Sequence, residues 1–109
     1  MTHYLTLYAD TPKRVEAACG LLKSRFPDAC EGYDSKPSST GFLTSDPDAK
    51  KFTLTLTFAE GYRSFDAVKN VAGQMSEALR NEQMLLLEKP DRTHANGWRG
   101  GFAQKFILT

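Results

Sequence analysis

The stretch KKFTLTLTFAE, residues 50–60, alternates without a break. Phe52, Leu54, Leu56 and Phe58 fall on one side of an extended chain. Thr53, Thr55 and Thr57 fall on the other, because successive side chains of a strand point to opposite faces. A segment that is apolar on one face and polar on the other belongs in a sheet with one buried side. The buried side needs a layer to pack against, and the flanking segments supply it.

Toward the N-terminus, THYLTLYA (residues 2–9) alternates too. Leu5 and Leu7 point one way, and Tyr4, Thr6 and Tyr8 the other. Thr11 followed by Pro12 reads as an N-cap and first helical residue, since the ring's fixed φ suits that place. Val15, Ala18, Leu22 and Phe26 then recur at helical spacing, with Cys19 and Leu21 beside them, until Phe26-Pro27 stops the helix. Toward the C-terminus, Ser64 caps a second helix and Asp66 suits its first turn. Val68, Val71, Ala72, Met75, Ala78 and Leu79 form its apolar stripe. Gly73, costly inside a helix, marks an expected close helix–sheet contact.

QMLLLEK (residues 83–89) is apolar on both faces, so a central or covered strand is expected, ended by Pro90. GFAQKFILT (residues 101–109) reads as a last strand, with Phe102, Phe106 and Leu108 on one face and Ala103 and Ile107 on the other. Residues 28–50 are weakly patterned. GYDSKPSSTG is rich in turn formers and reads as loop, GFLT as a short strand, and SDPDAK as a turn.

The order is β-α-(β)-β-α-β-β. Two helices on one face of a mostly antiparallel sheet is the α+β solution. The order of elements resembles the ferredoxin-like βαββαβ plan with an extra C-terminal strand. The resemblance is one of order alone, and fold analogy assigns no function. A chain of 109 residues reads as a single domain spanning 1–109.

The net charge of +1 gives no global pull toward nucleic acid or membrane. Its distribution is polar. Asp28, Glu31, Asp34, Asp46 and Asp48 surround Lys36 alone, whereas Lys89, Arg92, Arg99 and Lys105 outnumber Asp91. Two such poles would orient a partner. Cys19 and Cys30 form no CxxC, and helical geometry separates a mid-helix Cys19 from Cys30 beyond the helix end, so free thiols are expected. His3 and His94 make no zinc pattern, and neither a metal nor a cofactor is implied. The N-terminal residues lack a charged region followed by a long apolar one, so a cytoplasmic chain without a signal peptide is expected. No apolar run approaches the ~18 residues of a membrane span.

Candidate sites are few. RTHANGWRGGF, residues 92–102, holds Arg92, His94, Trp98 and Arg99. Asn96-Gly97 is a strong hairpin-turn signal, and Gly100-Gly101 permits close backbone approach. The connection is longer than a minimal hairpin needs, and Trp98 beside Arg99 pairs two residue types typical of interface hot spots. Tyr4 and Tyr8, with the threonines, would make a flat sheet face suited to a protein contact, to sheet-to-sheet pairing in a homodimer, or to base stacking. Against base stacking, the aromatic residues of KKFTLTLTF fall on the inward face, unlike the RNA-recognition signature. Lys13 and Arg14 in the first helical turn form a weak anion site without a glycine-rich loop. No nucleophile has a matched base, so no catalytic residue is assigned.

The reading that follows is a small non-enzymatic protein-interaction module. It would be an adaptor or an inhibitor of a larger assembly, of the size found among phage and mobile-element inhibitors of host defence complexes. Two alternatives stand beside it. One is a single-stranded RNA or DNA binder using the sheet face and basic C-terminal hairpin. The other is a small-molecule-binding or catalytic dimeric α+β barrel, which requires a closed apolar pocket.

Overall fold

The computed structural model describes residues 3–37, 52–62, 64–90 and 102–109, with backbone only at 34–37. Among these residues the elements are β1 (Tyr4–Ala9), α1 (Pro12–Arg25), β2 (Cys30–Pro37), β3 (Phe52–Phe58), α2 (Phe65–Asn81), β4 (Leu85–Pro90) and β5 (Ala103–Leu108). Both expected helix starts are present. Thr11 Oγ1 accepts from the Arg14 amide at 3.4 Å, and Ser64 Oγ accepts from the Ala67 amide at 3.1 Å. Each cap satisfies one of the amides that a helix start leaves without a partner.

The strands form one sheet in the order β2-β3-β1-β5-β4. β1 runs antiparallel to β3, with Leu5 opposite Leu56 and Leu7 opposite Leu54. β2–β3 and β4–β5 are also antiparallel, and among the described strands only β1–β5 is parallel. The sheet is therefore mostly antiparallel and the fold is α+β. Its order departs from the four-stranded plan, in which the first and last strands pair directly. Here β5 enters between β1 and β4 and displaces β4 to the edge. The side chains give the reason. Phe106, Ile107 and Leu108 are buried on both faces of β5, as a central strand demands. β4 carries Glu88, Lys89 and Pro90, which suit an edge.

The core lies between the helices and one face of the sheet. Leu5, Leu7, Leu54, Leu56, Phe58, Phe106 and Leu108 meet Val15, Leu22, Val68, Met75 and Leu79 there. The alternating apolar residues of β1 and β3 thus point where the pattern directs them. Phe102 extends the cluster at one end, with ring centroids 6.2 Å from Phe58 and 5.7 Å from Phe65. His3 locks the same end. It is buried, and its Nδ1 accepts from the Phe102 amide at 2.8 Å while the Tyr4 amide donates to the Phe102 carbonyl at 2.9 Å. His3, which makes no zinc pattern with His94, serves the β1–β5 junction.

Several expectations are corrected. Residues read as loop from Gly32 to Pro37 belong to β2 and pair with β3. Strong patterning in β3 recruits a partner whose own propensity is weak, which is how tertiary context overrides local preference. Gly73 faces solvent, with nothing near a Cβ built there, so it marks no close contact. QMLLLEK is not central, because its strand is the edge strand β4, and only its core-facing side, with Met84 and Leu85, is covered. The proposed GFLT strand and the Asn96-Gly97 turn lie outside the described residues.

The second face of the sheet is not the open Thr/Tyr surface expected. Tyr4 is half-buried, and Thr6, Tyr8, Thr53, Lys105 and Ile107 are buried. β1 is flanked on both sides. Tyr8 sits between Thr53 and Ile107, Thr6 between Thr55 and Lys105, and the Lys105 ammonium lies 5.7 Å from the Tyr8 ring centroid. A face of this kind offers Tyr8 neither to bases nor to a second copy.

Candidate functional site

The described residue most exposed for its apolar size is Leu86, 64% exposed, followed by Phe65 at 49% and Leu87 at 41%. Phe65 packs its ring edge on Phe102, whereas Leu86 and Leu87 stand together on the edge strand β4. Their display follows from a bulge. Leu85 pairs with Leu108 and Leu87 with Ile107, so β4 spends an extra residue, Leu86, where β5 spends none. Bulges re-aim side chains at sheet edges. Leu85 then faces the core, Leu87 faces the second side beside Ile107, and Leu86 is turned into solvent.

The strand that carries them is firmly held. α2 ends in a paired turn in which the Gln83 amide donates to the Arg80 carbonyl and the Met84 amide to the Leu79 carbonyl, both at 2.9 Å. That is the Schellman arrangement, and its left-handed position is Gln83, at φ 58. Thr109 fastens the far side, its amide donating to the Met84 carbonyl and its hydroxyl to the Gln83 carbonyl, each at 3.0 Å. Arg80 also reaches Glu88 at 3.1 Å, tying α2 to β4, though an exposed pair of this kind adds about 0–1 kcal/mol. β4 is thus an ordered edge with two leucines in solvent. On the second face its next side chain, Lys89, lies directly opposite Lys105.

The residues singled out in the sequence scatter. Arg92, His94, Trp98 and Arg99 lie outside the described residues. Tyr4 and Tyr8 share a row with the threonines, but Tyr8 is 4% exposed. Lys13 and Arg14 are exposed in the first turn of α1, where the Arg14 amide already donates to Thr11. Sequence reading missed Leu86 and Leu87 as surface residues. Their apolar run was visible, but a run does not reveal which strand lacks a neighbour.

A second cluster joins α1 to β2. A bulge at Glu31 places Cys30 and Tyr33 on the core face of β2, opposite Phe58 and Leu56. Burial pushes the Cys30 thiol up to about 11, with Tyr33 lowering it and Cys19 adding to the rise. Burial likewise pushes the Tyr33 hydroxyl up to about 12, helped by charge repulsion from Cys30 and Cys19, and it raises Cys19 against the opposing pull of Lys23. The Lys23 ammonium stands 4.2 Å from the Tyr33 ring centroid. Cys19 and Cys30 form no disulfide, as the sequence reading expected. Both are free thiols, and raised thiols are poor nucleophiles.

An open groove of about 450 Å³ runs between the end of α1 and the first turns of α2, with Arg25, Phe26, Asp28, Tyr62, Asn70 and Gln74 along it. It brings together no nucleophile with a base, and it is not the closed apolar pocket that a small-molecule reading requires. Among the described residues no cluster of histidine, cysteine and carboxylate side chains suits a metal ion. No described helix is long and apolar enough to cross a membrane. No protein-family model, curated protein or solved structure matches the chain.

Proposed function

We propose that this chain is a small protein-interaction module, an adaptor or inhibitor of a larger assembly, that engages its partner through the β4 edge. One observation carries the reading: a well-anchored edge strand keeps Leu86 and Leu87 in solvent. An edge presents unpaired backbone donors and acceptors, and apolar side chains beside them favour addition of another strand. The architecture is read as a ferredoxin-like plan with an inserted fifth strand, and the working compartment as the cytoplasm. Trp98 and Arg99, which follow β4 in the chain, are proposed as a second contact with the same partner.

The test is co-purification of the full chain from the cells that make it. It compares wild type, a Leu86→Lys/Leu87→Lys double variant and a Trp98→Ala/Arg99→Ala double variant. The expected result is a partner protein retained by wild type and lost by the β4 variant, at unchanged melting temperature. Equal recovery of the same proteins by both would overturn the reading.

A further inference from the structure

We infer that the groove between the end of α1 and the first turns of α2 is a second docking site, for an uncharged, extended peptide segment whose main chain is read by Asn70 and Gln74. This site is separate from the β4 edge and does not depend on it. Two such sites would let one chain bridge two partners, as an adaptor must.

A floor and two walls define the occupant. The floor is apolar. Ala29 is 1% exposed and Val71 8%, with Phe26 and Tyr62 half-buried beside them. The α2 wall carries two neutral amides. Asn70 and Gln74 are exposed, and each stands one position before a residue of the buried stripe, Val71 and Met75, at the border where the groove begins. Four helical residues set the two amides about 6 Å apart along the axis. An extended peptide repeats every two residues, at roughly 6.4–6.8 Å. Each side-chain amide offers a donor and an acceptor. The pair therefore matches the C=O and N–H groups of alternate residues in one extended segment, while an apolar side chain of that segment rests on the floor. Main-chain hydrogen bonds of this kind supply affinity, and the seated side chain supplies specificity.

The wall at the end of α1 carries one charge of each sign, Arg25 and Asp28, and Arg25 Nη2 lies 3.5 Å from Glu82 Oε1. A wall so balanced exerts no net pull on a charged residue, so the occupant is uncharged where it crosses the groove. The groove, about 450 Å³, has the volume of a ligand cleft, but it is open and does not enclose what it holds. That suits a segment of a longer chain. A helical segment would satisfy its own main chain and leave both amides unused.

The experiment titrates the full-length chain with the blocked peptide acetyl-Ser-Val-Leu-Val-Ser-amide, which is uncharged and favours an extended backbone. A second peptide is N-methylated at the central residues, so it keeps the side chains and loses the main-chain donors. Binding is followed by amide chemical shifts. Shifts are expected at residues 25–29 and 67–74, with an affinity that hardly changes as salt rises. Asn70→Ala/Gln74→Ala is expected to weaken binding about tenfold at unchanged melting temperature, and the N-methylated peptide is expected not to bind. No binding, shifts centred elsewhere, or equal affinity for wild type and the Asn70/Gln74 variant would overturn the inference. So would sedimentation showing that a second copy of the chain occupies the groove. If Leu86→Lys/Leu87→Lys loses the peptide and the Asn70/Gln74 variant keeps it, the peptide adds to β4, so the groove falls and the interaction edge stands. If the peptide binds in the groove while Leu86→Lys/Leu87→Lys leaves co-purification unchanged, the groove stands and the reading of β4 falls.

Discussion

Replacing Thr6 by valine should make this protein more stable. Thr6 sits at the middle of β1, 3% exposed, and its Oγ1 has no hydrogen-bond partner. Removing a hydroxyl from water without a compensating bond costs ~1–3 kcal/mol on protein mutational scales. Valine keeps the branched shape, the restricted χ1 and the strand preference of threonine, so little else changes. The expected gain is ~1–2 kcal/mol, taken from the lower part of that range because a methyl must fit where an oxygen sat. For a domain of this size, each kcal/mol moves the melting temperature by ~4–8 °C, so the rise is roughly 4–16 °C. Urea unfolding should show a higher midpoint at unchanged slope, which assigns the change to stability. A Thr6→Val midpoint below that of wild type would refute the reasoning, because it would mean that Oγ1 holds a bond in solution.

Other consequences follow from the same structure. Ser76 lies in α2 with its Oγ buried and without a partner, so Ser76→Ala should raise stability by ~1–2 kcal/mol, alanine also being the better helix former, and thermal melts read this directly. Gln83 occupies the left-handed turn position at φ 58, so Gln83→Gly should stabilise by about 1 kcal/mol, whereas Gln83→Val should destabilise. Alkaline stability depends on the α1–β2 cluster. Cys30 is raised from 9.0 to about 11 and Tyr33 from 10.0 to about 12, so the unfolded chain releases these protons first. Their contribution is complete below about pH 9, and stability declines as pH rises through the interval from 9 to 12. Denaturant midpoints across that interval should fall less steeply in Cys30→Ala than in wild type, and identical slopes would contradict the assignment.

Much of this architecture was legible in the chain because it rests on local rules. The alternation of Phe52 to Phe58 and of Leu5 and Leu7 reports which face is buried, and Thr11-Pro12 and Ser64 report where helices begin. What escaped reading depends on neighbours. A turn-rich segment from Gly32 to Pro37 becomes a strand because β3 beside it is strongly patterned. The apolar run Leu85–Leu87 looks like a central strand, yet β5 takes the centre and leaves β4 at the edge. Tyr8 and Thr6 look like surface residues, yet both are buried. Periodicity specifies faces, and strand order decides which edges meet water. The candidate site depends on strand order, which is why the sequence drew attention to Trp98 and Arg99 and passed over Leu86 and Leu87.

The central claim is that a partner protein pairs with β4. Hydrogen exchange read by mass spectrometry on the co-purified complex and on the free chain tests it most directly. Amides of Leu85–Pro90 should gain protection in the complex, with little change in α1. Protection confined to the helices, with β4 exchanging as it does in the free chain, would contradict the account.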